Sequence, residues 1–243
     1  MSCPRVLLLL WFLLCSFTGN APASPELPSF EASYRIERSI FDIGRIQLRF
    51  HTSPSSHYVY ESITEVAGFI AWFRDDRVVE ISRGFMDVNG IHPDYYHFER
   101  SGGKGDKQTE VSFDWISGQV KNTVNGRSWK MTVPPGTLDK LVVQIAMMHN
   151  LQKTEQDQQF SVADGGKLKD FRIRIQGRET LVLPAGRFAT LKVEKTPEYG
   201  NRRTYLWLAP ALGYLPVQVM RIEADGARYT SVLERVSHAL RVE

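Results

Sequence analysis

The chain has 243 residues, of which 42% are hydrophobic and 23% are charged, and its formal net charge is +3. These values are ordinary for a folded protein, so they exclude a disordered chain, a collagen-like repeat and a coiled-coil rod. The small net charge also gives no overall reason to expect nucleic acid as a partner, because nucleic-acid-binding domains are usually strongly basic.

Residues 1–23 are predicted to be a cleaved signal peptide. Arg5 provides the positive start, residues 6–17 form an apolar stretch, and residues 21–23 read Ala-Pro-Ala, a small-x-small cleavage signal. The apolar stretch is shorter than the roughly 20 residues that a membrane-spanning helix needs. We therefore expect cleavage after Ala23, export to the periplasm of a Gram-negative bacterium, and no transmembrane segment in the mature chain.

Two alternatives to cleavage leave the compartment unchanged. A lipoprotein needs a small residue just before the lipidated cysteine, but Cys15 follows two leucines, which argues against lipidation. An uncleaved signal anchor is the second alternative, since Trp11 and Phe12 make the apolar stretch bulky. In both cases the body of the chain is exported.

Both cysteines, Cys3 and Cys15, lie inside the signal segment. The expected mature chain, residues 24–243, therefore contains no thiol. This excludes disulfide exchange, cysteine hydrolysis and cysteine-ligated zinc as its chemistry. We expect these residues to form a single domain that is stabilised by its hydrophobic core alone.

Short segments rich in Val, Ile, Tyr, Phe and Thr recur along the mature chain with turn residues between them, which is typical of an antiparallel β protein. Residues 45–50 and 171–176 alternate apolar and polar side chains, as strands with one solvated face do. The predicted strands are 30–38, 45–50, 57–66, 77–83, 95–100, 109–115, 127–133, 171–176, 179–183, 188–195, 204–208, 216–223 and 227–235. So many strands predict a mainly β fold, with a large curled antiparallel sheet or a barrel-like meander.

Turn residues support this connectivity. The dipeptides at 89–90, 117–118, 125–126 and 225–226 are Asn-Gly, Ser-Gly, Asn-Gly and Asp-Gly, and each stands between apolar segments. Asn-Gly and Asp-Gly readily adopt the positive φ angles of type I′ hairpin turns. We therefore expect consecutive strands to pair as hairpins.

One segment has helical periodicity. The apolar residues at 138, 141, 142, 145 and 148 predict a single amphipathic helix over about 138–152. Thr137 is its expected cap, and Asp139 lies in the first turn, where a negative charge favours the helix dipole. The helix should pack on one face of the sheet or plug one end.

Several large side chains are compatible with either a filled core or a ligand cavity. They are the Met147-Met148 pair on the helix and the four tryptophans of the mature chain, Trp72, Trp115, Trp129 and Trp207. Periodicity does not separate the two roles, and we favour core packing for both sets.

A family resemblance rests on Asp139 and on residues 180–194 (TLVLPAGRFATLKVE) and 205–219 (YLWLAPALGYLPVQV). Together they resemble the domain-of-unknown-function 3108 family of exported bacterial proteins, over nearly the whole mature chain. The family usually has a serine soon after the helix-opening aspartate, whereas Lys140 and Leu141 follow here. The resemblance implies a β-rich envelope protein akin to curved-sheet lipoprotein carriers, and it implies no catalytic residue.

No motif for catalysis, metal or cofactor is present in the sequence. The closest histidine pairs, His51 with His57 and His92 with His97, lack the spacings that aim two imidazoles at one metal. Ser128 lacks the G-x-S-x-G elbow of hydrolases. The glycine-rich segments 102–105 and 165–167 lack phosphate-loop spacing, and the adjacent acids at 75–76 are typical of a solvated loop. We predict no catalytic residue, no metal site and no cofactor, and the ligand-binding residues stay open.

Two strand faces are rich in arginine: residues 35, 38, 45 and 49, and then 172, 174 and 178. If they adjoined, they would form a cationic patch for anionic lipid, polysaccharide or nucleic acid. Acidic residues are interleaved with them at 31, 37, 42, 170 and 179, so we favour a solvated, salt-bridged surface.

Three functional hypotheses follow. The first is a non-enzymatic exported domain that binds an apolar or amphipathic envelope component, such as a lipid, in the concavity of the sheet. The second is an envelope assembly protein that docks a protein partner through a sheet edge or a basic face. The third is a hydrolase with a dispersed site. A side-chain-filled interior favours the second hypothesis, and an open aromatic-lined cavity favours the first.

Overall fold

The computed structural model describes residues 27–68, 75–103, 105–197 and 202–237, so the predicted signal peptide and Trp72 lie outside the described residues. Within these ranges fifteen strands and one α-helix are found. The strands are β1 (Phe30–Arg38), β2 (Phe41–Thr52), β3 (His57–Val66), β4 (Arg77–Asp87), β5 (Gly90–Ser101), β6 (Lys107–Asp114), β7 (Gln119–Val124), β8 (Arg127–Thr132), β9 (Leu138–Asp139), β10 (Gln158–Asp164), β11 (Lys167–Leu183), β12 (Gly186–Pro197), β13 (Arg203–Ala209), β14 (Leu215–Ile222) and β15 (Arg228–Val236). Helix α1 (Val143–Lys153) lies between β9 and β10, and a 3₁₀ helix (Pro210–Leu212) precedes β14.

All fifteen described strands belong to one sheet, in the order β8-β7-β6-β5-β4-β3-β2-β1-β15-β14-β13-β12-β11-β10-β9. Neighbouring strands are antiparallel, except that β9 runs parallel to β10. Because β1 pairs with both β2 and β15, the first and last strands lie in the middle of the sheet, and β8 and β9 are its edges. This confirms the predicted mainly β fold with a large antiparallel sheet.

The sheet curls until its edges approach each other, but it does not close into a hydrogen-bonded barrel. The indole N–H of Trp129 on β8 donates to the carbonyl oxygen of Gly166, after β10, at 3.5 Å. Val120, Val133 and Ala163 share one buried cluster. These side-chain contacts join the two edge regions without strand pairing, and the architecture is barrel-like.

Helix α1 fills much of the concave interior. Its buried residues are Val143, Ile145, Ala146, Met147, Met148, His149 and Leu151, which cover nearly all of its circumference. The two methionines belong to the same buried cluster as the aromatic residues Phe30, Phe50 and Tyr60. The methionine pair is thus part of the core. No helix among the described residues has the length and apolarity needed to cross a membrane.

A single α-helix is confirmed among the described residues, but its predicted start at about residue 138 is wrong. Leu138 and Asp139 instead pair with Val162 and Ala163 as the short parallel strand β9, and α1 begins at Val143. The apolar residues that suggested the first helical turn, Leu138 and Val142, are buried in the short strand and in the turn that follows it. The helix is also buried around nearly all of its circumference, because it lies inside the curl rather than on an open face.

Besides β9, which was predicted as helix, two strands were missing from the prediction, β7 and β10. Their polar residues, including Lys121 and Asn122 on β7 and Gln159 on β10, obscured the alternation. The predicted strands 171–176 and 179–183 are one long strand, β11, with an irregularity at Gly177. At each of the four predicted turns, consecutive strands do pair, and at Asn125-Gly126 both residues have positive φ, 47° and 80°.

We predict that Gly84→Ala destabilises the fold. Gly84 on β4 lies at a bulge opposite β5, and a Cβ there would sit 2.1 Å from the carbonyl oxygen of His92 and 2.8 Å from Cα of Pro93. Because both atoms belong to the backbone, the strands must separate, at about 2–4 kcal/mol of unfolding free energy. Urea denaturation measures the loss. The neighbouring exposed Arg83→Ala is the control, and equal stability of the two variants would contradict the prediction.

Candidate functional site

A row of side chains runs across the inner face of the sheet from β1 to β8. Its members are successive cross-strand partners: Phe30, Phe50, Tyr60, Ser82, Tyr96, Val111, Asn122 and Trp129. All of them are buried except Trp129, which is 38% exposed. The row is aromatic near β1 and carries polar groups toward β8, so the interior is not uniformly apolar.

The carboxyl group of Asp139 lies in this interior and is fully buried. Its Oδ1 accepts hydrogen bonds from the backbone N–H groups of Leu141 at 2.8 Å and Val142 at 2.9 Å. Its Oδ2 accepts one from the Ser82 hydroxyl at 2.6 Å, and Ser82 lies 3.1 Å from the hydroxyl of Tyr58. One side chain therefore connects the turn before α1 to β3 and β4.

Asp139 also replaces the cap that the sequence predicted. The hydroxyl of Thr137 donates to the carbonyl oxygen of Pro134 at 2.7 Å, so it does not cap the helix. The N-cap position is Val142, which has no side-chain cap. Asp139 binds the free N–H groups just before α1. The prediction of Thr137 as the cap was therefore wrong, because strand β9 and a turn separate Thr137 from the helix.

Burial changes the acid–base behaviour of this centre. Desolvation raises the pKa of Asp139 to about 6, although the hydrogen bonds from Ser82, Val142 and Leu141 oppose the rise. Desolvation likewise raises the pKa of Tyr58 and Tyr96 above the ordinary tyrosine value. The ionised form of Asp139 is therefore held in the fold at a free-energy cost.

This cost predicts a pH dependence of stability. An unfolded aspartate has a pKa near 3.9, so between about pH 4 and pH 6 the folded state binds more protons than the unfolded state. Below about pH 4 Asp139 is protonated in both states, and its contribution to the unfolding free energy is at its maximum. As pH rises through 6 this contribution falls by roughly 3 kcal/mol, so the protein becomes less stable. Asp139→Asn should keep the side-chain hydrogen bonds and remove this loss, so it gains stability relative to the native protein between pH 4 and 7.

Urea denaturation of both proteins across that pH range measures the difference. Asp139→Ala serves as the comparison, because at pH 4 it should cost about 2–4 kcal/mol through the unpaired groups of Ser82, Leu141 and Val142. A stability difference between Asp139→Asn and the native protein that does not change with pH would contradict a raised pKa.

Lys140, the residue after Asp139, belongs to a set of charged side chains beside this buried carboxyl group. Its Nζ lies 3.0 Å from Oε1 of Glu80, and the same oxygen accepts a hydrogen bond from the hydroxyl of Tyr96 at 2.7 Å. The ammonium also lies 4.2 Å from the ring centroid of Phe98. Lys140 is thus paired with one carboxylate and one aromatic face.

Lys195 is the second cation of this group. It shares the inner face of β12 with the buried Leu191 and Val193, and its Nζ lies 4.4 Å from the ring centroid of Phe171. Within the described ranges no carboxylate lies at ion-pair distance from it. Burial lowers the pKa of Lys195 to about 8, and Asp164 partly opposes this change.

We call Glu80, Lys140, Asp164 and Lys195, with the rings of Phe98 and Phe171, the lysine cluster. Its charged groups act on one another electrostatically, since Asp164, Lys140 and Glu80 all influence Lys195. Chemically, the cluster can hold an anionic group against aromatic surface. The neighbouring Ser82 and Asp139 have 0% exposure, and the hydroxyl of Tyr58 lies 3.1 Å from that of Ser82, so both side chains are shielded from solvent.

The histidines of the two closest sequence pairs contact groups outside the lysine cluster. Nε2 of His92, near the start of β5, is 3.0 Å from Oδ1 of Asp87, and Nδ1 of His57, at the start of β3, is 3.3 Å from the Ser55 hydroxyl. Across the part of the chain that the structure describes, no three metal-ligating side chains come together. Ser128 is exposed and shares a 2.8 Å hydrogen bond with Thr123.

The arginine faces remain separate, because four strands lie between β1 and β11. Arg35 and Arg45 both contact Glu234, at 3.2 and 3.7 Å, and Arg49 lies between Glu31 and Glu61. The first face is therefore salt-bridged, as the interleaved acids indicated. A surface groove of about 450 Å³ opens beside Arg49 and Arg235, but the charge of Arg49 is already paired there.

The sequence contained one overlooked signal for the lysine cluster. Leu191, Val193 and Lys195 have the same parity in the predicted strand 188–195, so a charged residue stood on an apolar face. That Lys195 approaches the loop of Lys140 follows from the curl of the sheet, which brings β4 and β12 toward the same interior.

The family model described as "Protein of unknown function (DUF3108)" matches residues 29–233. The chain belongs to the DUF3108 family. Among solved structures, this DUF3108 protein is similar to a beta-barrel-like protein of domain of unknown function DUF1849 from Brucella abortus, with a TM-score of 0.57 and 10% identity, over 87% of this chain and 98% of the other. At that identity the likeness shows the fold alone, and it agrees with the curled, barrel-like sheet.

Two further structures align with the DUF3108 chain at TM-scores too low to support an argument. One is a protein described as exported, with a YmcC-like fold, from Bacteroides fragilis, with a TM-score of 0.37 and 14% identity over 88% of this chain and 97% of the other. The other is a protein described as a lipoprotein from Parabacteroides distasonis, with a TM-score of 0.34 and 13% identity over the same shares. Among curated proteins, none matches the chain.

Proposed function

We propose that this DUF3108 protein is an exported, non-enzymatic binding protein that holds an amphipathic envelope component by its anionic group at the lysine cluster. The carrying observation is Lys195, a part-buried ammonium on an apolar strand face with no counter-ion at ion-pair distance in the described ranges. Removing a cation from water costs free energy unless an anion compensates it. A ligand carboxylate or phosphate would provide that compensation.

The apolar part of the ligand is expected to contact part-buried residues near this end. Leu141 and Phe171 pack against the main core while remaining part-exposed, and Phe98 does so beside the smaller cluster. Helix α1 occupies the rest of the interior. We therefore do not propose a ligand that fills the whole concavity. Only the anionic end of an amphiphile and the apolar part next to it would lie in the protein.

The proposed location rests on the N-terminal segment. Residues 1–23 have the pattern of a signal peptide with cleavage after Ala23, and residues 24–243 would then form the mature domain in the periplasm. An envelope amphiphile is the ligand class that such a location supplies.

Three probes with the same twelve-carbon chain test the proposal: laurate, dodecyl phosphate and dodecanol. We expect the two anions to bind and Lys195→Met to weaken them at least tenfold, because a charge-assisted hydrogen bond contributes about 1.5–3 kcal/mol. Dodecanol binding should be weak and unchanged by the substitution. Isothermal titration calorimetry measures all three, and a preference between the anions distinguishes a carboxylate from a phosphate group.

Lys192→Met is the matched control. Lys192 lies on the outer face of the same strand, where it pairs with Glu179 at 3.1 Å, so its loss should leave anion binding unchanged. Equal affinity for anions and dodecanol, equal effects of the two substitutions, or no binding up to millimolar concentration would overturn the proposal.

A further inference from the structure

A second feature, independent of the lysine cluster, lies at the edge of the sheet. Strand β8 pairs with β7 on one side, and no described strand pairs with its other side. Arg127, Ser128 and Lys130 are exposed, and Trp129 is 38% exposed. We propose that this open edge binds an acidic, extended segment of a partner protein as an additional strand.

The geometry of the β7–β8 hairpin leaves backbone groups free at this edge. Because Asn125 and Gly126 form a two-residue turn with positive φ, Val124 and Arg127 are a hydrogen-bonded pair. Hydrogen-bonded and non-hydrogen-bonded pairs then alternate, which turns the N–H and C=O groups of Ser128 and Lys130 away from β7. The 2.8 Å contact between the Thr123 and Ser128 hydroxyls fits the closer side chains of a non-hydrogen-bonded pair.

The same hairpin has positive charge without compensation. No aspartate or glutamate occurs between Asp114 and Asp139, whereas Lys121, Arg127 and Lys130 do. Lys121 and Lys130 are direct cross-strand partners, an arrangement in which like charges reduce stability. Within the described ranges none of the three cations forms an ion pair.

The carboxylate of Asp114 lies within electrostatic reach of the edge. Hydrogen bonding with Ser117 is the largest cause of the lowered pKa of Asp114 and Lys130 adds to it, but that carboxylate already accepts the backbone N–H groups of Ile116 and Ser117. A segment with acidic side chains on the outer face would therefore meet a cationic pair that the chain itself leaves unneutralised.

The positive charge of this edge favours an acidic strand over a second copy of the chain as its partner. Pairing of β8 with β8 of a second copy would bring the Arg127 and Lys130 side chains of both copies together, and edge lysines commonly prevent such association. An acidic strand instead relieves the repulsion between Lys121 and Lys130. The ring of Trp129, which is 38% exposed while its indole N–H reaches the carbonyl oxygen of Gly166, provides apolar surface on the inner side of the same edge.

Two synthetic octapeptides test the inference, one alternating glutamate and valine and the other alternating lysine and valine. With the protein expressed from its full coding sequence, we expect the acidic peptide to bind and its affinity to fall with salt. The double variant Lys121→Glu/Lys130→Glu should weaken this binding at least tenfold and should accept the lysine peptide. Fluorescence anisotropy measures each affinity, and circular dichroism verifies that the variant is folded.

Arg172→Glu/Arg174→Glu is the matched control. It changes the net charge equally, but both residues are exposed on β11, which has strands on both sides, so acidic-peptide binding should persist. Hydrogen exchange should slow at the amides of Ser128 and Lys130 when the peptide binds.

Four results would overturn the inference. They are equal binding of the two peptides, equal loss in both double variants, no binding at millimolar concentration, and protection confined to other strands. Sedimentation that reveals a dimer abolished by the Lys121→Glu/Lys130→Glu change would assign the edge to a second copy instead.

Discussion

The arrangement of the interior depends on the buried carboxyl group of Asp139. It accepts hydrogen bonds from the turn before α1 and from Ser82 on β4, so it fixes where the helix enters the curled sheet. Because α1 then fills most of the concavity, this contact also determines which inner surfaces remain for a ligand. The carboxyl loses hydration in exchange, and the raised pKa of Asp139 is the sign of that cost.

The filled interior changes the balance between the functional hypotheses. The methionine pair and the aromatic residues of β1 to β3 form core, so a cargo that occupies the whole concavity has no room there. What remains is a charged end, where Lys195 faces aromatic surface, and an open edge, where Lys121 faces Lys130. The first site suits a small amphiphile and the second suits a polypeptide, so the two proposals do not compete for the same surface.

These two places differ from much of the remaining charged surface. On β1, β2 and β15, arginines alternate with acids and form ion pairs that contribute little to stability individually and leave little net charge. Lys195 and the β7–β8 hairpin have cations without such partners in the described part of the chain. Uncompensated charge is costly when it is part-buried or placed opposite like charge, which is why we assign binding roles to these cations rather than to the arginine-rich faces.

The sequence by itself determined the strand-rich fold, the four hairpin turns, the single helix and the family, because alternation, turn residues and motifs are local properties of the chain. It did not determine that β7 and β10 are strands, since some of their buried positions hold polar residues such as Asn122, which hide the apolar–polar alternation of a strand. Nor did it place Asp139 beside Ser82, or Lys195 near Lys140, since each contact joins residues more than fifty positions apart. Only the curl of the tertiary structure decided those contacts, together with the identity of β8 as an open edge.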